Sequence, residues 1–408
     1  MNIFYNFKLD SDRGLQRYKF FIFKSLFVFF FTPNHLKIIY LLIKFSEILA
    51  NWYDIHKRDL PWRDTRNPYK IWISEIILQQ TRVNQGLDYY KRFIEKYPDV
   101  NVLANSSQDD VMLSWQGLGY YSRARNLHHA AKQIVNDFDG KFPDTFKEII
   151  SLKGVGDYTA SAIASFAYEL PHPVVDGNVL RFISRYLGIK DPINASKAKE
   201  KIKVFLEKQI VEINAATFNQ AIMEIGALQC VPQNPVCNEC PFKNECMAFK
   251  NDLVDSLPNK KYAVKVKDRF FNYFILIYKQ KDEYYTILNH RQTKDIWQGL
   301  HEFILVEKEH LLSIDEVNES LKEFKIRSVV GFSSDEIVHK LSHRNIKTKF
   351  FVRIIEDKAE ILDHFSTKFR KLSNFAFPRL ISKFLTDYEE QIENLLNIGE
   401  QIDKNGIK

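Results

Sequence analysis

From Lys44 the apolar positions recur at helical spacing, with Ile48, Leu49, Trp52 and Ile55 on one predicted face. Between residues 70 and 230, short apolar-periodic segments of helical length are broken by Gly and Pro. Almost nothing there alternates with a period of two, so the region reads as all-α. A lysine-rich stretch at 251–268 reads as a linker, and beyond it the period changes. Residues 269–279 and 283–290 are rich in Phe, Tyr and Ile and flank Gln280-Lys281-Asp282, the pattern of a β-hairpin. Residues 326–332 and 346–355 read as further strands, and 314–324 and 378–385 as helices. The pattern predicts a helical domain over 41–250, then an α+β domain over 269–390 and a polar tail at 391–408.

Composition narrows the class. The 408 residues are 45% hydrophobic and 27% charged, with 14 Gly and 13 Pro, which excludes collagen-like, low-complexity and wholly disordered chains. A balance of 58 basic minus 51 acidic residues, +7, permits a polyanionic partner without requiring one. Residues 20–31 are nearly all aromatic or aliphatic, but twelve residues fall short of the ~20 a membrane-spanning helix needs. Residues 1–40 are read as an extension outside the fold, with an interfacial anchor as the alternative, and without stable membrane insertion.

The four cysteines, Cys230, Cys237, Cys240 and Cys246, crowd into one stretch at 230–246 with spacing C-x6-C-x2-C-x5-C. Disulfides are usually spread along a secreted chain, so this clustering reads as a metal site in a reducing compartment. A structural zinc usually has two closely paired cysteine knuckles, and only one is present here. Four thiolates also suit an iron–sulfur cluster, and spacing alone leaves the metal open.

Three further segments carry candidate chemistry. Gly154, Val155 and Gly156 stand between two helical patterns. Such a turn can aim its amides at a phosphate from a helix N-terminus, or be an ordinary helix–helix connection. Glu75 lies inside Ile71-Trp72-Ile73-Ser74-Glu75-Ile76-Ile77-Leu78, where poor solvation would raise its pKa and make it a candidate general acid. The plainer alternative has Ser74 capping a helix and Glu75 facing water. Asp176 precedes Gly177-Asn178-Val179 and reads as a helix N-cap. A capping carboxylate kept ionised by amides and the helix dipole can also stabilise a developing cation. Two carboxylates in contrasting surroundings are the pair expected for glycosidic bond cleavage.

Taken in order, these segments resemble the adenine DNA glycosylases of the helix–hairpin–helix base-excision superfamily. The markers are Leu60-Pro61-Trp62-Arg63, Ser74-Glu75-Ile76-Ile77-Leu78-Gln79-Gln80-Thr81, Gly117-Leu118-Gly119-Tyr120-Tyr121-Ser122-Arg123, Gly154-Val155-Gly156-Asp157-Tyr158-Thr159-Ala160, Val175-Asp176-Gly177-Asn178-Val179 and the cysteine array. The resemblance covers about residues 44–385. It implies a multidomain fold: an all-α helix–hairpin–helix glycosylase domain with an iron–sulfur cluster loop, then an α+β Nudix-like domain. It implies that Glu75 protonates adenine at ring nitrogen 7 and that Asp176 stabilises the oxocarbenium-like sugar, with Tyr158 and Asn178 in support. It implies that Gln80 and Tyr120 wedge into the duplex, and that Arg58, Trp62, Arg63, Leu78, Val83 and Gln220 line the adenine pocket. The four cysteines would hold one four-iron four-sulfur cluster that orders a DNA-contacting loop.

Relatives that also nick the strand carry a Schiff-base Lys where this chain has Tyr158, so the resemblance implies a monofunctional enzyme. Trp297-Gln298-Gly299-Leu300-His301-Glu302-Phe303 is similar to the Nudix-like domain's Gly-Leu-Trp-Glu-Phe element, with His301 in place of Trp, and no Nudix box follows. Leu341-Ser342-His343 is similar to the loop that senses 8-oxoguanine, with Leu341 in place of Phe, so Ser342 and His343 are expected to contact the lesion. Asp157 stands where a Pro is common. The implied substrate is duplex DNA with adenine opposite 8-oxoguanine or guanine, and the implied protein is a cytoplasmic, nucleoid-associated monomer. Glycosylases for mismatched thymine or uracil, bifunctional pyrimidine-lesion lyases and a catalytically silent damage binder are the rival readings.

Overall fold

The computed structural model describes residues 33–259, 266–356 and 365–405, with side chains from Lys44 to Ile402. The expectation for residues 1–40 falls outside them, except that helix α1, Pro33–His56, begins at Pro33. The chain forms two compact units, one of 1–60 with 164–261 and one of 61–163 with 262–408. The helical region predicted as one block over 41–250 thus contributes to both. Among the described residues no helix is long and apolar enough to cross a membrane.

In the first unit α1 packs on α11, Ala215–Leu228, through Phe45, Leu49, Trp52 and Tyr53. Ile55, placed on the predicted apolar face, is instead 79% exposed, because the buried stripe drifts toward Tyr53 and ends one turn earlier. Helices α9, Gly177–Leu187, α10, Ser196–Gln209, and the short α12, Met247–Lys250, complete this unit's bundle. Part of the predicted linker is folded here. Leu257 is buried and its carbonyl accepts Arg185 Nε at 2.8 Å, while the Asn259 carbonyl accepts the Ile193 amide at 3.0 Å.

The second unit begins with helices α2, Pro68–Leu78; α3, Val83–Lys96; α4, Val100–Asn105; α5, Gln108–Ser114; α6, Ser122–Asp137; α7, Phe146–Ser151; and α8, Asp157–Tyr168. It continues into an eight-stranded sheet. Strand β1, Lys267–Gln280, and β2, Glu283–His290, form the predicted hairpin, with Lys281 at φ +57° in the turn. β1 also pairs in parallel with β7, Arg344–Ile355, from Lys267↔Arg344 to Ile277↔Ile354. Along β1 the side chains alternate between two cores. Phe271, Tyr273, Ile275 and Ile277 meet helix α14, Arg379–Asp387, and helix α15, Glu389–Asn405. Phe274, Leu276 and Tyr278 meet Val317 and Leu321 of helix α13, Ile314–Glu323. The residues read as a polar tail are therefore largely helix α15. Ile392 and Leu395 are 4% exposed, and Tyr284 donates to the Leu396 carbonyl at 2.9 Å.

His301, the departure from Trp, is 5% exposed between His290, Phe365 and Phe375, and its Nδ1 has no hydrogen-bond partner. Burial and then the neighbouring His290 lower its pKa below the usual histidine value. The unfolded chain therefore takes up a proton near pH ~6.5 that the folded chain resists. Stability is expected to be full above that pH and to fall on acidification. His301→Phe should flatten this slope and add about 1–3 kcal/mol by removing an unsatisfied polar atom. Denaturant midpoints at about pH 7.5 and 5.5 check both, and an unchanged slope in the variant contradicts the assignment.

Candidate active site and nucleic-acid interface

In the second unit, Asn67 caps α2 by accepting the Lys70 amide at 3.1 Å, with Pro68 in the first turn. Helix start at Pro68 puts Ser74 mid-helix, where its hydroxyl donates to the Ile71 carbonyl at 2.7 Å. Glu75 is consequently 6% exposed, in an unbroken buried run from Ile71 to Ile77. The alternative of a water-facing Glu75 beside a capping Ser74 is overturned by that helix start.

The two residues expected to wedge into DNA, Gln80 and Tyr120, are both exposed and both at positive φ, +57° and +47°. Non-glycine residues held there cost of order 1–3 kcal/mol and persist only where surroundings enforce them. The enforcer is Arg123. Its buried guanidinium donates through Nη1 to the Ile76, Ile77 and Gln79 carbonyls at 2.7, 2.9 and 2.6 Å. Through Nη2 it reaches the Leu118 and Gly119 carbonyls at 3.3 and 3.1 Å. Burial lowers this guanidinium's pKa to about 10, leaving it charged at neutral pH. One side chain thus fixes the loops that carry Gln80 and Tyr120. The sequence motif contained Arg123, but only an arginine on an otherwise buried helical face hinted at its role. Tyr120 Oη also shares a hydrogen bond with Ser342 Oγ at 2.9 Å. Ser342 and His343 are exposed at the turn between β6, Ile337–Lys340, and β7, while Leu341 packs on the core.

The Gly-Val-Gly turn joins α7 to α8 as predicted. Gly154 has φ +78°, and a Cβ there would stand 2.6 Å from Asn126 Cβ, so glycine is required. Gly154 and Gly156 are exposed and Val155 is buried. Asp157 opens α8, where an acidic side chain complements the helix dipole. Tyr158 follows, half-buried, and Thr159 Oγ1 accepts from Gln79 Nε2 at 3.2 Å. Trp62 is buried edge-on to Tyr90 at 5.2 Å, and Arg63, Leu78 and Val83 are half-buried.

The first unit holds Asp176. It caps α9, its Oδ1 accepting the Val179 amide at 2.7 Å and its Oδ2 the Asn178 amide group at 2.9 Å. Its pKa is nevertheless raised. Burial outweighs the opposing contributions of Val179, Asn178 and Arg181. Asn178 Oδ1 in turn accepts Arg181 Nη2 at 2.9 Å, and Arg181 donates to the Gly226 and Cys230 carbonyls at 2.6 and 2.7 Å. Gly226 must be glycine, because a Cβ would lie 2.8 Å from the Asn178 carbonyl oxygen. Arg181, which the sequence reading missed, therefore joins the capping carboxylate to the cysteine segment. Arg58 donates to the 1%-exposed carboxylate of Glu224 at 2.6–3.0 Å, and Tyr53 donates to Gln220 Oε1 at 2.7 Å.

All four cysteines are free thiols lining one recess with Arg185 and Phe242. Burial pushes the Cys240 thiol up to about 12 and raises Cys230, against the pull of Arg185, whose Nη1 lies 3.4 Å from Cys230 Sγ. Among the described residues no three His, Cys, Asp or Glu side chains are grouped as a single metal ion requires. Four thiols on one apolar-walled recess, beside a buried guanidinium that offsets thiolate charge, are a donor set that fits an iron–sulfur cluster.

Residues 73–208 match the HhH-GPD superfamily of base excision DNA repair proteins, and residues 272–387 match the NUDIX domain. Fold and site thus define a helix–hairpin–helix DNA glycosylase with an appended Nudix-like domain. The chain is 36% identical over 306 residues to the adenine DNA glycosylase of Buchnera aphidicola subsp. Schizaphis graminum, covering 73% of this chain and 84% of that one. It is 35% identical over 352 residues to the adenine DNA glycosylase of Buchnera aphidicola subsp. Baizongia pistaciae, covering 84% and 96%. A solved thermostable thymine-DNA glycosylase aligns with 28% identity and TM-score 0.49, covering 52% of this chain and 99% of that one. The chain belongs to the adenine DNA glycosylase family. It is a hydrolase of N-glycosidic bonds in DNA, acting in base excision repair.

Proposed function

We propose that this glycosylase removes adenine paired with 8-oxoguanine or guanine and leaves an intact abasic strand. The observation that carries the reading is the Tyr120–Ser342 hydrogen bond of 2.9 Å. It couples a residue that would fill the gap left by an extruded base to the turn that would contact the opposite base. Extrusion costs a few kcal/mol, less at a mispair. Glu75 delivers a proton to adenine nitrogen 7, and the N-glycosidic electron pair leaves with the base. Asp176, oriented by Asn178 and with Tyr158 in support, shields the cationic deoxyribose until water attacks. Arg58, Trp62, Arg63, Leu78, Val83 and Gln220 hold the base; Gln80 and Tyr120 wedge the duplex; Gly154, Val155 and Gly156 hold backbone phosphate; Ser342 and His343 read the lesion. Tyr158 cannot form an imine, which supports base release without strand cleavage. Cys230, Cys237, Cys240 and Cys246 would hold a four-iron four-sulfur cluster, which supplies structural order to a DNA-contacting loop when bound.

The test is single-turnover excision from duplexes with adenine opposite 8-oxoguanine, guanine or thymine, with and without alkali. The expected result is alkali-dependent cleavage, fastest opposite 8-oxoguanine. Ser342→Ala should narrow the 8-oxoguanine-to-guanine rate ratio. Scission without alkali, or an unchanged ratio in Ser342→Ala, contradicts the reading.

A further inference from the structure

The turn carrying Ser342 and His343 is short and exposed, and it closes the β6–β7 ladder just beyond the Lys340↔Asn345 pair. The Leu341 amide donates to the Arg344 carbonyl at 2.8 Å, and the His343 carbonyl accepts the Lys267 amide at 3.2 Å. Tyr120 Oη holds the Ser342 side of the turn at 2.9 Å, so the seat of its other side depends on what holds Arg344. Loop 291–300 does so from beneath. Asp295 Oδ1 accepts Arg344 Nη1 at 3.1 Å, at the residue directly after His343. The same carboxylate accepts Arg269 in two-pronged fashion, Nη1 at 3.0 and Nη2 at 2.8 Å, and Arg291 Nη2 at 3.2 Å. Three guanidiniums from β1, the segment after β2 and the start of β7 therefore converge on one carboxylate.

Burial pushes the Asp295 pKa up, but Arg269, the Ile296 amide and Arg344 outweigh it and hold the group down at about 2, so it stays charged at every working pH. The loop itself is closed by the Gly299 amide donating to the Arg291 carbonyl at 2.7 Å and by Arg291 donating to the Ile296 carbonyl at 3.1 Å. Arg291 is buried and also paired with the buried Glu302 at 2.6 Å, which makes this a rigid platform. Trp297, at φ +61°, meets His339 at 5.8 Å from the same loop, so the platform touches β6 as well as β7. Arg269 is held on its other side by Glu307, leaving Arg344 as the partner through which Asp295 reaches the turn.

We propose that Asp295 is a positioning residue for lesion recognition, fixing the Ser342–His343 turn through Arg344. This rests on the lesion-reading role proposed for that turn. A carboxylate serving only the stability of the domain would change the amount of active enzyme and scale both substrates alike. A carboxylate that positions the turn changes their ratio.

The experiment compares Asp295→Asn, Arg344→Ala and the double variant in the full chain, with active-site titration, by single-turnover excision of adenine opposite 8-oxoguanine and opposite guanine. Asp295→Asn keeps shape and removes charge, and is expected to lower the 8-oxoguanine-to-guanine ratio about 3–10-fold, the net effect typical of one weakened hydrogen bond. Arg344→Ala, a half-exposed side chain whose loss spares the fold, should lower the ratio similarly, and the double variant should lower it no further. An unchanged ratio in both single variants, or additive losses in the double, overturns the proposal. Ser342→Ala separates the two failures. If it lowers the ratio while Asp295→Asn does not, positioning fails and lesion reading stands; if it leaves the ratio unchanged, the lesion-reading role itself fails.

Discussion

Glu75→Gln is expected to abolish adenine release while mismatch binding survives. Glutamine keeps the side chain's volume and its place in the buried run from Ile71 to Ile77, so α2 and the core around Trp72 should be undisturbed. What disappears is the only proton the side chain could give. General acid catalysis of this kind contributes roughly 10²–10⁴ in rate, and a purine is a poor leaving group without protonation. Because Glu75 sits inside a helix fixed by the Asn67 cap and Pro68, no neighbouring carboxyl on that helix can substitute for it. Single-turnover excision should fall by that factor, while the dissociation constant for the mispaired duplex shifts less than tenfold. Retained turnover would remove Glu75 from the chemistry.

What the sequence disclosed was local, and what it hid was long-range. The Gly154 turn was legible because a positive φ between two helical patterns has few solutions other than glycine. The β1–β2 hairpin was legible because Phe, Tyr and Ile flank a polar break. The side of Glu75 that faces the core was half legible: seven mostly apolar neighbours predicted burial, but the helix start at Pro68 decided it. Arg123, Arg181 and Asp295 were not legible in their roles. Each joins segments distant in sequence, Arg123 reaching back 47 residues to Ile76 and Arg344 reaching 49 to Asp295, and no local period encodes such pairings. Helix α15 was missed for a different reason. Its buried Ile392 and Leu395 are outnumbered by Glu and Asn, so composition hid a one-sided apolar stripe. The division of the helical region at residues 60 and 163 has no mark in composition, since both halves draw on the same helix-forming residues.

Asp176→Asn carries the second large expected effect, and it separates capping from catalysis. Asn caps helices about as well as Asp, so α9 should keep its start and the protein its stability within a few tenths of a kcal/mol. On the proposed mechanism the charge that shields the sugar is lost, and losses of a single preorganised electrostatic partner run to roughly 10²–10³ in rate. The pH dependence follows from the direction of the Asp176 shift. Burial raises its pKa above the ordinary aspartate value, against the Val179 and Asn178 hydrogen bonds, and the proposed mechanism needs the ionised form. Activity should therefore be lost on acidification at a higher pH than an exposed aspartate would give. Asn178→Ala removes a 2.9 Å donor to the charged form and should move that acidic limb higher still. Arg181→Ala, acting one residue further away through Asn178 Oδ1, should move it in the same direction by less. Single-turnover rate against pH for the three variants and the parent reads all of this. An Asp176→Asn enzyme at parental rate, or an acidic limb that Asn178→Ala leaves in place, would show that the carboxylate serves the helix alone.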